Sequence, residues 1–119
     1  MIETLYKKFF HTLGNQTRLA IIYTLKSGEK NVTELTEELK LKQTTVSHDL
    51  RRLEQCQFVK MRQDGPFRYY SLNKETIEPL LKLMDKHVKS AQSIGINSYH
   101  YDSEKKDLDS LKQFLDQNI

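Results

Sequence analysis

The sequence predicts a mainly helical fold carrying one β-hairpin, and three observations support it. Apolar residues recur at helical spacing through most of the chain, the spacing turns strand-like only around one Asp-Gly pair, and Pro and Gly together fill only six of 119 positions. Taken in order, Ile2, Leu5, Tyr6, Phe9, Phe10 and Leu13 mark a first helix over about 2–13. Gly14-Asn15 then supplies a stop and an N-cap. A second helix follows from Gln16 to Ser27, with Leu19, Ile21, Ile22 and Leu25 inward and Gly28 ending it. Thr33 to Leu39 predicts a short third helix capped by Thr33. There Glu34 and Glu37 favour the positive end of the helix dipole, and Leu35 and Leu39 are the core contacts.

Beyond Lys40-Leu41-Lys42, Gln43 to Gln55 places Val46, Leu50 and Leu53 on a narrow apolar stripe, with polar and basic residues elsewhere. Two helices joined by a short turn, the second polar outside its stripe, form a helix-turn-helix pattern. The period then changes to two. Phe58 to Arg62 and Phe67 to Leu72 read as strands around Gln63-Asp64-Gly65-Pro66, which makes residues 59–72 a wing. Asn73 or Thr76 caps a fifth helix over about 76–91, carrying Ile77, Leu80, Leu81, Met84 and Val88. Pro79 favours Thr76, because proline is tolerated only in a first turn. Ser93 to Tyr101 loses the period, and Leu108, Leu111, Phe114 and Leu115 mark a last helix over about 103–117. The whole reads as one winged helix-turn-helix domain over 1–119 with its core in 9–72. The apolar stripes of the first and fifth helices exceed what so small a core covers, so they are expected to pair across a two-fold axis as a homodimer.

Charge adds a second signal. Residues 40–70 hold seven Lys and Arg against three Asp and Glu, a balance of +4, while the remainder holds twelve against thirteen, or −1. A basic surface confined to one segment suggests a polyanionic partner. Other classes are disfavoured. No apolar run approaches the roughly 20 residues that span a bilayer, and Met1-Ile2-Glu3-Thr4 does not open a secretory signal, so a cytoplasmic location is expected. The lone Cys56 allows neither an internal disulfide nor a multi-thiolate zinc site. With no nucleophile-base pattern and no phosphate-binding glycine loop, an enzyme is not expected.

Two strings sharpen the reading. Leu13-Gly14-Asn15-Gln16-Thr17-Arg18-Leu19, and Thr45-Val46-Ser47 followed by Leu50 and Leu53, resemble the ArsR family of winged-helix repressors over roughly Phe9 to Val88. The resemblance implies a homodimer joined by the first and fifth helices that binds double-stranded DNA and regulates transcription. It implies DNA contacts from Lys42, Gln43, Thr44, Thr45, Ser47, His48, Arg51 and Arg52, with that helix in the major groove. Arg62, Gly65 and Arg68 of the wing would lie by the flanking backbone or minor groove. Residue chemistry agrees: Gln pairs with adenine edges, Thr offers a hydroxyl and a methyl, and Arg grips guanine or phosphate. This sequence departs from the family pattern at three places. Lys42 stands in place of a capping Ser, Asp49 in place of a His beside the recognition face, and Gln57 in place of a helix-ending Gly. An architectural DNA binder with little sequence preference is the alternative reading, and a protein-interaction module a third.

No metal or other cofactor is expected. Family metal sensors carry Cys-Val-Cys where Asn31-Val32-Thr33 stands here, so that thiolate site is absent. A second family site is half reproduced by Asp85-Lys86-His87, but its other half falls on Ser98 and Tyr101, with His100 and Asp102 out of register. Zinc or nickel at Asp85, His87, His100 and Asp102 is therefore the lesser alternative. His11 reads as a boundary residue of the first helix, and Cys56 as a packed thiol rather than a redox switch.

Overall fold

A computed structural model describes residues 1–93 of the chain. The described elements run α1 (Ile2–Leu13), α2 (Gln16–Leu25), β1 (Lys30–Asn31), α3 (Val32–Leu39), α4 (Gln43–Gln55), β2 (Val59–Asp64), β3 (Phe67–Leu72) and α5 (Ile77–Ser93). The chain divides into two compact units, Met1–Asn73 and Lys74–Ile119. The expected terminal helix, and most of the link before it, lie outside the described residues.

Within the first unit, α2, α3 and α4 surround a core of fully buried Ile21, Ile22, Leu35, Val46, Leu50, Leu53 and Phe58. Each such side chain contributes roughly 1.5–3 kcal/mol on leaving water. Strand β3 lies between β1 and β2 in an antiparallel sheet, with Tyr70 opposite both Lys30 and Met61. Phe9 of α1 stacks on Phe58 at 5.0 Å between ring centroids, which anchors α1 to the start of the wing.

Local chemistry explains the differences from sequence expectation. Helix α3 is capped by Asn31, not Thr33: Asn31 Oδ1 accepts from the Glu34 amide at 2.8 Å while Glu34 Oε1 accepts from the Asn31 amide at 3.0 Å. This reciprocal capping box satisfies two otherwise unpaired donors. The same Lys30-Asn31 segment forms β1, too short for its alternation to be visible beforehand. Helix α2 ends at Leu25, with the turn continuing to Gly28, whose amide donates to the Leu25 carbonyl. Gln63 and Asp64 belong to β2, so the hairpin loop is only Gly65-Pro66, with Asp64 opposite Phe67. Gly65 has φ +60 and Pro66 restores a negative φ, the sign pattern of a type II′ turn.

The end of α4 sets the departure of the wing. The Phe58 amide donates to the Leu53 carbonyl at 2.9 Å and the Gln57 amide to the Glu54 carbonyl at 3.0 Å, a Schellman motif with Gln57 left-handed at φ 63. Asn73 closes the wing: its Nδ2 donates to the Gln57 carbonyl at 3.0 Å and its amide to the Phe58 carbonyl, so the end of the hairpin is tied to its beginning.

In the second unit, α5 begins just after Thr76, whose carbonyl accepts from the Leu80 amide, and Pro79 lies in the first turn where its missing N–H costs nothing. No helix among the described residues is long and apolar enough to cross a membrane.

Candidate nucleic-acid interface

Helix α4 has two unlike sides. Val46, Asp49, Leu50 and Leu53 are buried, whereas Gln43, Thr44, His48 and Arg51 are exposed and Thr45, Ser47 and Arg52 are half-buried at the margin. The side chain of Lys42, at the N-cap, makes no capping hydrogen bond, so α4 begins with uncapped amides beside a cation. The turn before α4 is fixed by Lys40 at φ 55 and by the Leu41 amide donating to the Thr36 carbonyl. Arg52 Nε is buried without a hydrogen-bond partner, which places that guanidinium stem in the packing rather than on the open face.

Strand register separates the wing residues that the sequence had grouped. Residues paired across β2 and β3 share a face, so Arg68, opposite Gln63, points the same way as the pair Met61/Tyr70, of which Tyr70 is buried, and the buried pair Val59/Leu72. That inner face looks toward α4. Between them runs a groove of about 330 Å³ lined by Gln43, Ser47, Arg51, Glu54, Arg68 and Tyr70, among others. Two arginines from different elements thus converge on one groove.

Arg62 is on the opposite face, paired with Tyr69 in register. Its Nη2 and Nε donate to the two carboxylate oxygens of Glu29 at 2.7 and 3.1 Å, Asp64 Oδ2 lies 3.7 Å from Nη1, and the Tyr69 ring lies 4.9 Å below. Hydrogen bonding to Arg62 holds the Glu29 carboxyl below its ordinary range, and Glu29 in turn raises the Arg62 guanidinium. Arg62 is therefore engaged within the fold rather than presented with Arg51 and Arg68. Nothing in the sequence marked Glu29 as its partner, since they are 33 positions apart.

Tyr70 is buried as a packing residue, as the hairpin alternation predicts for one of the two tyrosines, while Tyr69 is half-buried. Burial pushes the Tyr70 hydroxyl up in pKa, the Glu54 carboxylate adds to this, and the Arg68 and Arg51 cations oppose it.

The expectation that Asp49 stands beside the recognition face is corrected. Asp49 is buried, and its Oδ1 accepts from Arg18 Nη1 at 3.3 Å. Arg18 also donates through Nε to the Thr12 carbonyl at 2.7 Å and through Nη2 to the His11 carbonyl at 3.3 Å. The preceding Asn15 caps α2 by accepting from the Arg18 amide at 3.0 Å. In the opening string, then, Asn15 starts a helix and Arg18 ties it to both neighbours.

Cys56, half-buried at the C-cap of α4, has its Sγ 3.6 Å from Thr12 Oγ1, and His11 is exposed. Among the described residues no group of three or more His, Cys, Asp or Glu could hold a metal ion. Asp85 and His87 stand on α5; His100 and Asp102 lie outside the described residues. Donors at two positions on one helix are short of the four that zinc ordinarily takes.

Similarity to other proteins follows the same segment. The profile of the bacterial regulatory protein, arsR family, matches residues 15–61, from the cap of α2 into β2. The chain is 34% identical over 89 residues to the cadmium resistance transcriptional regulatory protein CadC homolog of Staphylococcus aureus, covering 74% of each. It is 34% identical over 77 residues to an arsenical resistance operon repressor of Bacillus subtilis, covering 64% of this chain and 73% of that one. In solved structures, the fold matches the homodimeric winged helix-turn-helix DNA-binding domain of a possible ArsR-family regulator from Mycobacterium bovis. The TM-score is 0.69 at 24% identity, over 84% of this chain and 90% of that one.

Proposed function

Since the chain belongs to the arsR family of bacterial regulatory proteins and is a DNA-binding transcriptional regulator rather than an enzyme, we propose that it acts as a homodimeric repressor that occupies a pseudo-palindromic operator. Each copy inserts α4 into the major groove and lays β2 and β3 along the flanking backbone. The observation that carries this reading is the groove in which Arg51 of α4 and Arg68 of β3 converge beside the exposed Gln43, Thr44 and His48. Cations on both walls suit a phosphate, while amide, hydroxyl and imidazole groups on α4 suit base edges.

Pairing is supported by α1. Ile2, Leu5, Tyr6 and Phe10 lie on it at 63–67% exposure and continue one another at helical spacing. An apolar stripe of that kind on a small monomer marks an interaction surface. A second copy is the occupant that gives two α4 helices one DNA turn apart, about 34 Å, and so a two-fold symmetric site. The work is done on the chromosome, hence in the cytoplasm, and requires no metal in this reading.

The test is selection from random genomic fragments by the purified protein, with zinc or nickel and with chelator. Enrichment of a pseudo-palindrome with half-sites about 10 base pairs apart is the expected result. Uniform enrichment would point instead to an architectural binder. Release of the operator by added metal would give Asp85 and His87 a ligand role.

A further inference from the structure

The Arg18 guanidinium joins the helix that pairs two copies to the helix that reads DNA. Its Nε and Nη2 hold the Thr12 and His11 carbonyls in the last turn of α1, where a helix leaves carbonyls without internal donors. Its remaining arm, Nη1, reaches Asp49 of α4. Arg18 and Asp49 are each only 7% exposed, so the tie runs through the interior. Asp49 follows Val46 by three residues and precedes Leu53 by four, on the core side, while Thr44, His48 and Arg51 point out. A rigid helix turned or slid at Asp49 carries its outer face with it.

Apolar packing at Val46, Leu50 and Leu53 is non-directional and tolerates small rotations of α4. A buried, charge-assisted hydrogen bond is directional and does not. A buried ion pair offers little net stability against an apolar pair of the same volume, so its presence here calls for another reason.

We propose that Asp49, through Arg18, is a positioning residue: it locks α4 to the last turn of α1, so that the paired α1 helices set the aim of both DNA-reading faces. The inference rests on the DNA-reading assignment above. It concerns operator selectivity rather than phosphate attraction, because neither residue lies on the open face.

The measurement is the affinity of the folded dimer for its selected operator and for scrambled DNA, with thermal unfolding and sedimentation alongside. Asp49→Asn keeps the shape and removes the charge. The expected result is an operator-to-scrambled affinity ratio lowered roughly tenfold, within the range of residues that couple sites without touching ligand. Scrambled affinity and its salt slope stay as in the wild type. Asp49→Glu, which retains a carboxylate for Arg18, recovers part of the ratio. A merely stabilising pair would lower Tm and leave the ratio within twofold of wild type, and that result overturns the proposal. If Asp49→Asn does not fold, Arg18→Met with Asp49→Leu fills the site without a buried charge and is read by the same two outcomes. A wild-type chain with no operator preference would overturn the DNA assignment itself, and this inference with it.

Discussion

Arg62 and Glu29 close a two-point ion pair across the outer face of the sheet, with hydrogen bonds of 2.7 and 3.1 Å, while Arg68 stands on the inner face by the groove. Because Arg62 holds the Glu29 carboxyl below its ordinary value of 4.5, the pair contributes stability above that pH and loses it as pH falls through the lowered value. Wild type should therefore be more stable than Glu29→Gln in urea unfolding at pH 7. The two curves should converge as pH drops below 4.5. A gap that does not narrow as pH falls below 4.5 would remove the pair from the account.

The two wing arginines should behave differently on DNA. Under the proposed docking, Arg68→Ala should cost one phosphate contact per half-site and flatten the salt slope of operator binding by about 2. Arg62→Ala should leave the slope unchanged, since its guanidinium is already held by Glu29. Titration of both variants between 50 and 200 mM salt decides it, and equal slopes would mean that Arg62 leaves Glu29 on binding.

Gln57 occupies the left-handed position of the α4 Schellman motif at φ 63, where a Cβ is strained. Gln57→Gly should raise stability by about 1 kcal/mol without changing operator affinity. Calorimetry should show a higher Tm by a few degrees. A lower Tm would show that the Gln57 side chain contributes more than its backbone strain costs.

Phe10 is 67% exposed while its neighbour Phe9 stacks on Phe58. Phe10→Glu should leave the fold intact but convert dimer to monomer in sedimentation, and operator affinity should fall by more than tenfold as the second half-site is lost. An unaltered dimer would move the pairing surface elsewhere.

Burial raises the Tyr70 hydroxyl above the usual tyrosine value of 10.0. A raised folded pKa gives stability that is complete below the unfolded value and is lost as pH rises through the folded one. In an ultraviolet titration, one tyrosine should ionise above the ordinary value, and Tyr70→Phe should abolish that late step. If Tyr70→Phe leaves the titration unchanged, the late proton belongs to another group.

Much of this was legible beforehand where the signal was local. The bounds of α1 and α4 follow from apolar spacing, the Asn15 cap from its side chain, and the existence of the hairpin from a change of period around Gly65. Caps were less legible: Asn31 and Thr33 both suit an N-cap, and only the reciprocal bonds with Glu34 decide between them. The basic character of residues 40–70 was also visible, but not how its cations are used.

The sequence by itself determined the order of elements, the apolar stripe of each helix and the cation-rich segment, because these depend on neighbours within a turn or a strand pair. Tertiary structure alone decided how the charges are paired. It put Asp49 inside, on an arginine 31 positions earlier, and Arg62 outside, on a glutamate 33 positions earlier, leaving Arg51 and Arg68 to share the groove. Coulomb attraction acts through space, and the distances that set it exist only once the chain has closed.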